Sequence, residues 1–140
     1  MIVAVHALTG AALARLCKTH ARAFVLGALS HLAADLLPHR DLEVAQEALL
    51  LGGALGFVGI RRGLDSREFA GAVGAAVPDI ENLVARVFQI PDDRLLLPTH
   101  GKYHGRKTRG LGGQLALALI CTASLLVPAG SCQPTPRHGN

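Results

Sequence analysis

Apolar positions along this 140-residue chain gather into five runs, separated by short polar clusters. The first run, residues 1–16, is rich in Ala and Leu, and His6 is its only ionisable side chain before Arg15. Arg15, Lys18 and Arg22 bracket a turn, and a second helix is predicted over 21–37. Pro38 ends that helix, because its ring clashes with the preceding turn and it has no N–H to donate. Asp41 is the expected N-cap of a third helix over 42–60, with Glu43 in the first turn, where the helix dipole favours a carboxylate. Within it, 48–60 is uncharged, and Gly52, Gly53, Gly56 and Gly59 recur at near-helical spacing. Small residues so spaced let helix backbones approach closely in a membrane.

Asp65 and Glu68 form a capping-box pattern ahead of a fourth helix over 66–89. Gly71, Gly74, Ala75 and Ala76 give this helix a thin face. Pro78 then interrupts it, followed at once by Asp79 and Glu81. Two readings fit. Pro78 kinks a continuous helix and places Asp79 in an apolar run as a site. Alternatively, Pro78 is the first-turn proline of a new helix, whose dipole favours the two acids. Residues 91–110 read as a loop. A fifth helix over 111–127 carries no charge and sits at the short limit for a membrane span. Residues 128–140 read as a disordered tail. The pattern therefore predicts an all-α fold: one domain over 1–127, a compact bundle of four to five short apolar helices.

Composition adds a membrane to this picture. Half the residues are hydrophobic and 17% are charged, against about 25% in an ordinary soluble domain. Mean hydropathy is +0.36. The expectation is a membrane-embedded bundle. Four Phe, one Tyr and no Trp leave little for an interfacial aromatic belt. The same scarcity removes base stacking, so nucleic acid is not an expected partner. The net charge of +4 suits an anionic membrane surface or a phosphorylated substrate. Cys17, Cys121 and Cys132 form no CxxC, so neither a disulfide framework nor a Cys-based zinc site is indicated. The first cation is Arg15, so no cleavable signal peptide is read.

The chemistry centres on residues 30–41, where His31, Asp35, His39 and Asp41 sit within apolar sequence. His31 and Asp35, four apart on a helix, lie about 40° apart around the axis and one turn up. Neutral imidazole and carboxylate are ligands for a zinc-class ion. An i,i+4 His–Asp pair is equally an ordinary helix-face pair. Other groups in apolar or loop-mouth positions are His6, Asp79, Glu81, His100 and His104. Metal sites in bundles are built from such inward side chains on facing helices. The candidate metal ligands are thus His6, His31, Asp35, His39, Asp79, His100 and His104, enough for one or two divalent ions, with zinc the expected metal. The basic run Lys102, Arg106, Lys107 and Arg109 reads as a membrane-topology anchor or a phosphate patch.

The islands His6-Ala7-Leu8-Thr9-Gly10-Ala11, Ser30-His31-Leu32-Ala33-Ala34-Asp35 with Pro38-His39, and Val77-Pro78-Asp79-Ile80-Glu81 carry a resemblance. They look like the small bacterial inner-membrane, metal-dependent hydrolases, a family distantly similar to zinc-dependent phospholipase C. The resemblance implies His6, His31, Asp35, Asp79 and His104 as metal ligands, a phosphoester or phospholipid substrate, and an inner-membrane location. The chain departs from the family pattern at Glu81 and Asn82, where the family has Asp-His. The Pro-Asp island also follows the Ser-His island instead of preceding it.

The expected function is metal-dependent phosphoester hydrolysis by a metal-activated water, with Glu81 as general base. The alternative is a non-catalytic membrane protein with a structural His/Asp network or a metal-handling site. A third reading is haem ligation between His6 and His31. Membrane lipid is the expected partner, and the chain is compatible with a homo-oligomer.

Overall fold

The computed structural model describes residues 1–40, 42–91, 94 and 110–128. Among these the elements are five α-helices: α1 (Val3–Ala14), α2 (His20–Asp35), α3 (Val44–Arg62), α4 (Arg67–Val87) and α5 (Gly112–Leu126). The all-helical order expected from the apolar runs is therefore present. Most of the loop expected over 91–110 and all but the first residue of the tail expected over 128–140 lie outside the described residues.

Local chemistry sets the helix ends, and it differs from expectation at two of them. Asp41 lies outside the described residues. The N-cap of α3 is Glu43, whose backbone N–H donates to Gln46 Oε1 at 3.3 Å. The N-cap of α4 is Ser66, not Asp65, and its hydroxyl accepts the Phe69 N–H at 3.0 Å. A short hydroxyl reaches the N3 amide well, and Ser ranks with Asp and Asn at this position. Glu68 is instead drawn to Arg62, whose Nε and Nη2 donate to its Oε1 at 3.0 and 2.6 Å. Pro78 lies inside a continuous α4, so it is not the first turn of a new helix. Asn82 Nδ2 donates to the Pro78 carbonyl at 2.9 Å.

The helices run up and down. The start of α1 meets the end of α2, since the Met1 nitrogen lies 3.2 Å from Asp35 Oδ1. It also meets the start of α5, through Ile2 N–H to Gln114 Oε1 at 2.9 Å, and the start of α3, through Val3 N–H to Glu47 Oε2 at 2.8 Å. The first amides of a helix have no intrahelical acceptor, and burying them unpaired is costly. Side chains from two other helices, Gln114 of α5 and Glu47 of α3, supply the acceptors here. At the opposite end, Arg15 donates to the Ser124 and Pro128 carbonyls, and Arg67 to the Cys17 carbonyl.

The interior is built of small residues. Ala7, Ala11, Ala54, Ala72 and Val58 form one buried cluster with Leu125. Between α1, α2 and α4 the packing is closer still. A Cβ on Gly10 or Gly27 would run into the Gly71 carbonyl oxygen, and one on Gly74 into the Phe24 carbonyl oxygen. Three glycines of α3 behave differently: nothing lies within 4 Å of a Cβ on Gly52, Gly53 or Gly56, whereas one on Gly59 would meet the Leu64 side chain at 2.8 Å. Large apolar side chains point outward, among them Leu29 on α2 and Leu36 at its C-cap, Leu49 and Ile60 on α3, and Leu119 and Ile120 on α5. Among the described residues, α3 is the one helix long and apolar enough to cross a membrane, and α1 and α5 are shorter apolar helices.

Candidate metal centre

Three helices each bring one donor to a common point, and each donor lies one turn from a small residue at the helix contact. On α1, His6 precedes Gly10 by four. On α2, His31 follows Gly27 by four. On α4, Asp79 follows Ala75 by four. Residues four apart share a helix face, so the contact that brings the backbones together also aims the donors inward. A Cβ on Gly27 would meet the Ala75 nitrogen at 3.0 Å, which shows how near α2 and α4 run beside the site.

Ligand atoms of His6, His31 and Asp79 lie within 4.8 Å of one another. A tetrahedral ion with bonds of about 2.0–2.1 Å needs its ligands roughly 3.3 Å apart, so small side-chain movements close the trio around it. His6 is 1% exposed and His31 0%. Their rings stack, with centroids 4.0 Å apart and planes inclined at 29°. Rings in contact leave no space for a porphyrin between them, which removes the haem reading.

Hydrogen bonds set the tautomers. A carbonyl only accepts, so His31 Nδ1–H donates to the Ala75 carbonyl at 2.9 Å. In the neutral ring that leaves Nε2 as the lone-pair atom. An ionised carboxylate also only accepts, so His6 Nε2–H donates to Asp35 Oδ1 at 3.0 Å, which leaves Nδ1 with the lone pair. His6 Nδ1, His31 Nε2 and Asp35 Oδ2 are buried, and none has a hydrogen-bond partner among the described residues. His31 Nε2 and Asp35 Oδ2 stand 3.2 Å apart. Two lone-pair atoms at that distance call for a proton or a cation. On its other side, His31 Nδ1 lies 3.7 Å from Asp79 Oδ2. A polar cluster without water is stable only if such demands are met.

The expected site residues divide accordingly. His6, His31 and Asp79 converge. Asp35 is buried beside the trio and touches both imidazoles, with Oδ1 also 3.2 Å from the Met1 nitrogen. His39 is buried as well, and its Nδ1–H donates to the Leu37 carbonyl at 2.7 Å. It is not in the converging group. Glu81 is two residues beyond Asp79, hence about 200° round the axis of α4, and it too is outside the group. His100 and His104 lie outside the described residues.

Two residues that sequence spacing does not single out support the site. Glu47 accepts from Val3 N–H at 2.8 Å and, through its other oxygen, from Leu42 N–H at 2.9 Å. Gln114 accepts from Ile2 N–H and donates to the Arg40 carbonyl at 3.1 Å. Together they fasten the start of α1, and with it His6, to the segment that follows His39. The one local signal is a polar side chain near the start of an otherwise apolar helix.

Compared with protein-family models, curated proteins and solved structures, the chain matches none.

Proposed function

We propose that the chain is a membrane-embedded bundle that binds a divalent metal ion, zinc being the first candidate, and hydrolyses phosphoesters with it. The observation that carries the reading is the convergence of His6, His31 and Asp79 at a point buried between three helices. Three protein donors are the complement of a catalytic zinc, which keeps a fourth position for water or substrate. When bound, such an ion supplies Lewis acidity and lowers the pKa of its water.

The chain's own residues do the rest. His6 presents Nδ1, because Asp35 holds its Nε2. His31 faces Asp79 with Nδ1, so all three share an ion in the other His31 tautomer, with Nε2–H donated to Asp35 Oδ2 and the Ala75 carbonyl released. Asp35 is the positioning residue for His6, an outer carboxylate of the kind that fixes a ligand's tautomer and orientation. Stacking of the two rings limits their rotation.

The membrane part of the proposal rests on which residues face out. Most buried apolar residues are alanine, joined by His6, His31 and Asp35, while most of the exposed large apolar residues are leucine, isoleucine and valine. Soluble domains bury their large apolar residues and rarely expose extended apolar patches. Bundles in lipid pack through small residues and keep ionisable groups inward. The expected location in the inner membrane accords with this surface.

The test is hydrolysis of a chromogenic phosphodiester, and of phospholipid, by metal-loaded protein in detergent. His31→Ala and Asp79→Asn should each lose activity by about 100-fold or more, the scale of removing one electrostatic stabiliser. Metal-loaded wild type that turns over neither substrate rejects hydrolysis. The non-catalytic metal-handling reading then stands in its place.

A further inference from the structure

The end of the bundle opposite the metal centre carries a cleft between the α1–α2 and α3–α4 turns. Its volume is about 500 Å³, and Lys18, Arg61, Arg62, Arg67, Asp65 and Glu68 line it. Four cations thus face two carboxylates. Glu68 is taken up by Arg62, with Nη2 to Oε1 at 2.6 Å. Arg67 keeps further donors beyond the one given to the Cys17 carbonyl. Lys18 and Arg61 are exposed and, among the described residues, have no ion-pair partner. Exposed apolar residues stand within two positions of these cations and acids in the chain: Leu16 is 79% exposed, Leu64 72% and Ile60 86%.

This combination is neither an ordinary solvated turn nor a greasy one. Uncompensated cations sit in a recess, and leucine and isoleucine project beside them. A phosphate at the level of a membrane interface meets both demands, since its charge answers the cations while its acyl chains lie against these apolar residues.

We propose that this cleft binds the phosphate of an anionic lipid headgroup, with Lys18 and Arg61 as its principal cations. The inference rests on the membrane reading above but not on the metal centre, which lies at the other end. The ligand chemistry is a phosphodiester in a bilayer leaflet, not a free anion.

Native mass spectrometry of the full chain in neutral detergent, titrated with phosphatidylglycerol or phosphatidylcholine, tests it. One phosphatidylglycerol should be retained per chain in clear preference to phosphatidylcholine. Each cation is worth about fivefold in affinity, so the pair Lys18→Ala and Arg61→Ala should weaken retention by roughly 25-fold. Arg61→Lys, which keeps the charge, should retain most of it. Arg22→Ala, on α2 outside the cleft, should leave it unchanged. Equal retention of the two lipids overturns the proposal, as does unchanged retention in the double variant. Inorganic phosphate that binds as tightly as the lipid overturns it too, by making the cleft a soluble-anion site. Metal content and flotation with neutral-lipid vesicles, measured on the same samples, report separately on the metal and membrane readings.

Discussion

On α4, Gly71 and Gly74 lie against the backbones of α1 and α2, and a Cβ at either would meet a carbonyl oxygen. On α3, Gly52, Gly53 and Gly56 are spaced as closely, yet a Cβ there would meet nothing within 4 Å. The same residue at similar spacing packs one helix tightly and leaves Gly52, Gly53 and Gly56 of the other open, although Ala54 and Val58 on α3 are buried. The difference follows from what shares the helix face. Asp79 lies one turn beyond Ala75, and its helix must bring that carboxylate to two imidazoles from α1 and α2. On α3 the nearest charged groups are Glu47 at one end and Arg61 and Arg62 at the other, with nothing polar along the glycine stretch. Small residues permit close approach, and buried polar groups that need partners determine where it happens.

The sharpest break of that contrast is Gly27→Leu set beside Gly53→Leu. The first forces a side chain into the Gly71 carbonyl and should abolish the folded, monodisperse protein in detergent, a loss above about 3 kcal/mol. The second should leave the melting temperature unchanged or raised, because leucine is the better helix former by up to about 1 kcal/mol. Equal damage from both would mean that α3 packs as tightly as α4.

Next in size is Asp35. Asp35→Ala takes the acceptor from His6 Nε2–H and one acceptor from the Met1 nitrogen, and removing one side of a buried polar pair costs about 3–5 kcal/mol. Asp35→Asn keeps an acceptor for His6 and should cost about 1–2 kcal/mol in thermal melts. If the two substitutions cost the same, the carboxylate is not holding these donors.

Smaller effects are expected at the outer fastenings. Glu47→Gln keeps an acceptor for only one of two backbone amides, and Gln114→Ala leaves Ile2 N–H without one. Each should cost about 1–3 kcal/mol and speed hydrogen exchange at the first turn of α1 before any other helix. Protection there equal to wild type would show that these side chains do not fasten α1.

Much of this was legible in the sequence. Apolar runs and their breakers located all five helices among the described residues, and the i,i+4 spacing placed His31 and Asp35 on one face. The thin face of α4 was visible in Gly71, Gly74, Ala75 and Ala76. Three things were not legible. Partners of buried groups are far apart in the chain: Asp35 meets His6 at 29 residues' separation, and Ile2 meets Gln114 at 112. Periodicity reports a face and not its neighbour, so the glycines of α3 and α4 looked alike. Finally, Ser66 caps α4 where Asp65 was expected, since two adjacent residues both have capping side chains and only backbone geometry chooses between them.

The central claim is that His6, His31 and Asp79 together hold a divalent ion. Elemental analysis of detergent-purified protein tests it most directly, comparing wild type with His6→Ala, His31→Ala, Asp79→Ala and the remote Asp65→Ala. About one ion per chain is expected in wild type and in Asp65→Ala, with loss of the ion in each of the other three. Folded wild type without metal after growth and dialysis against zinc, or an ion retained in all three variants, would contradict it.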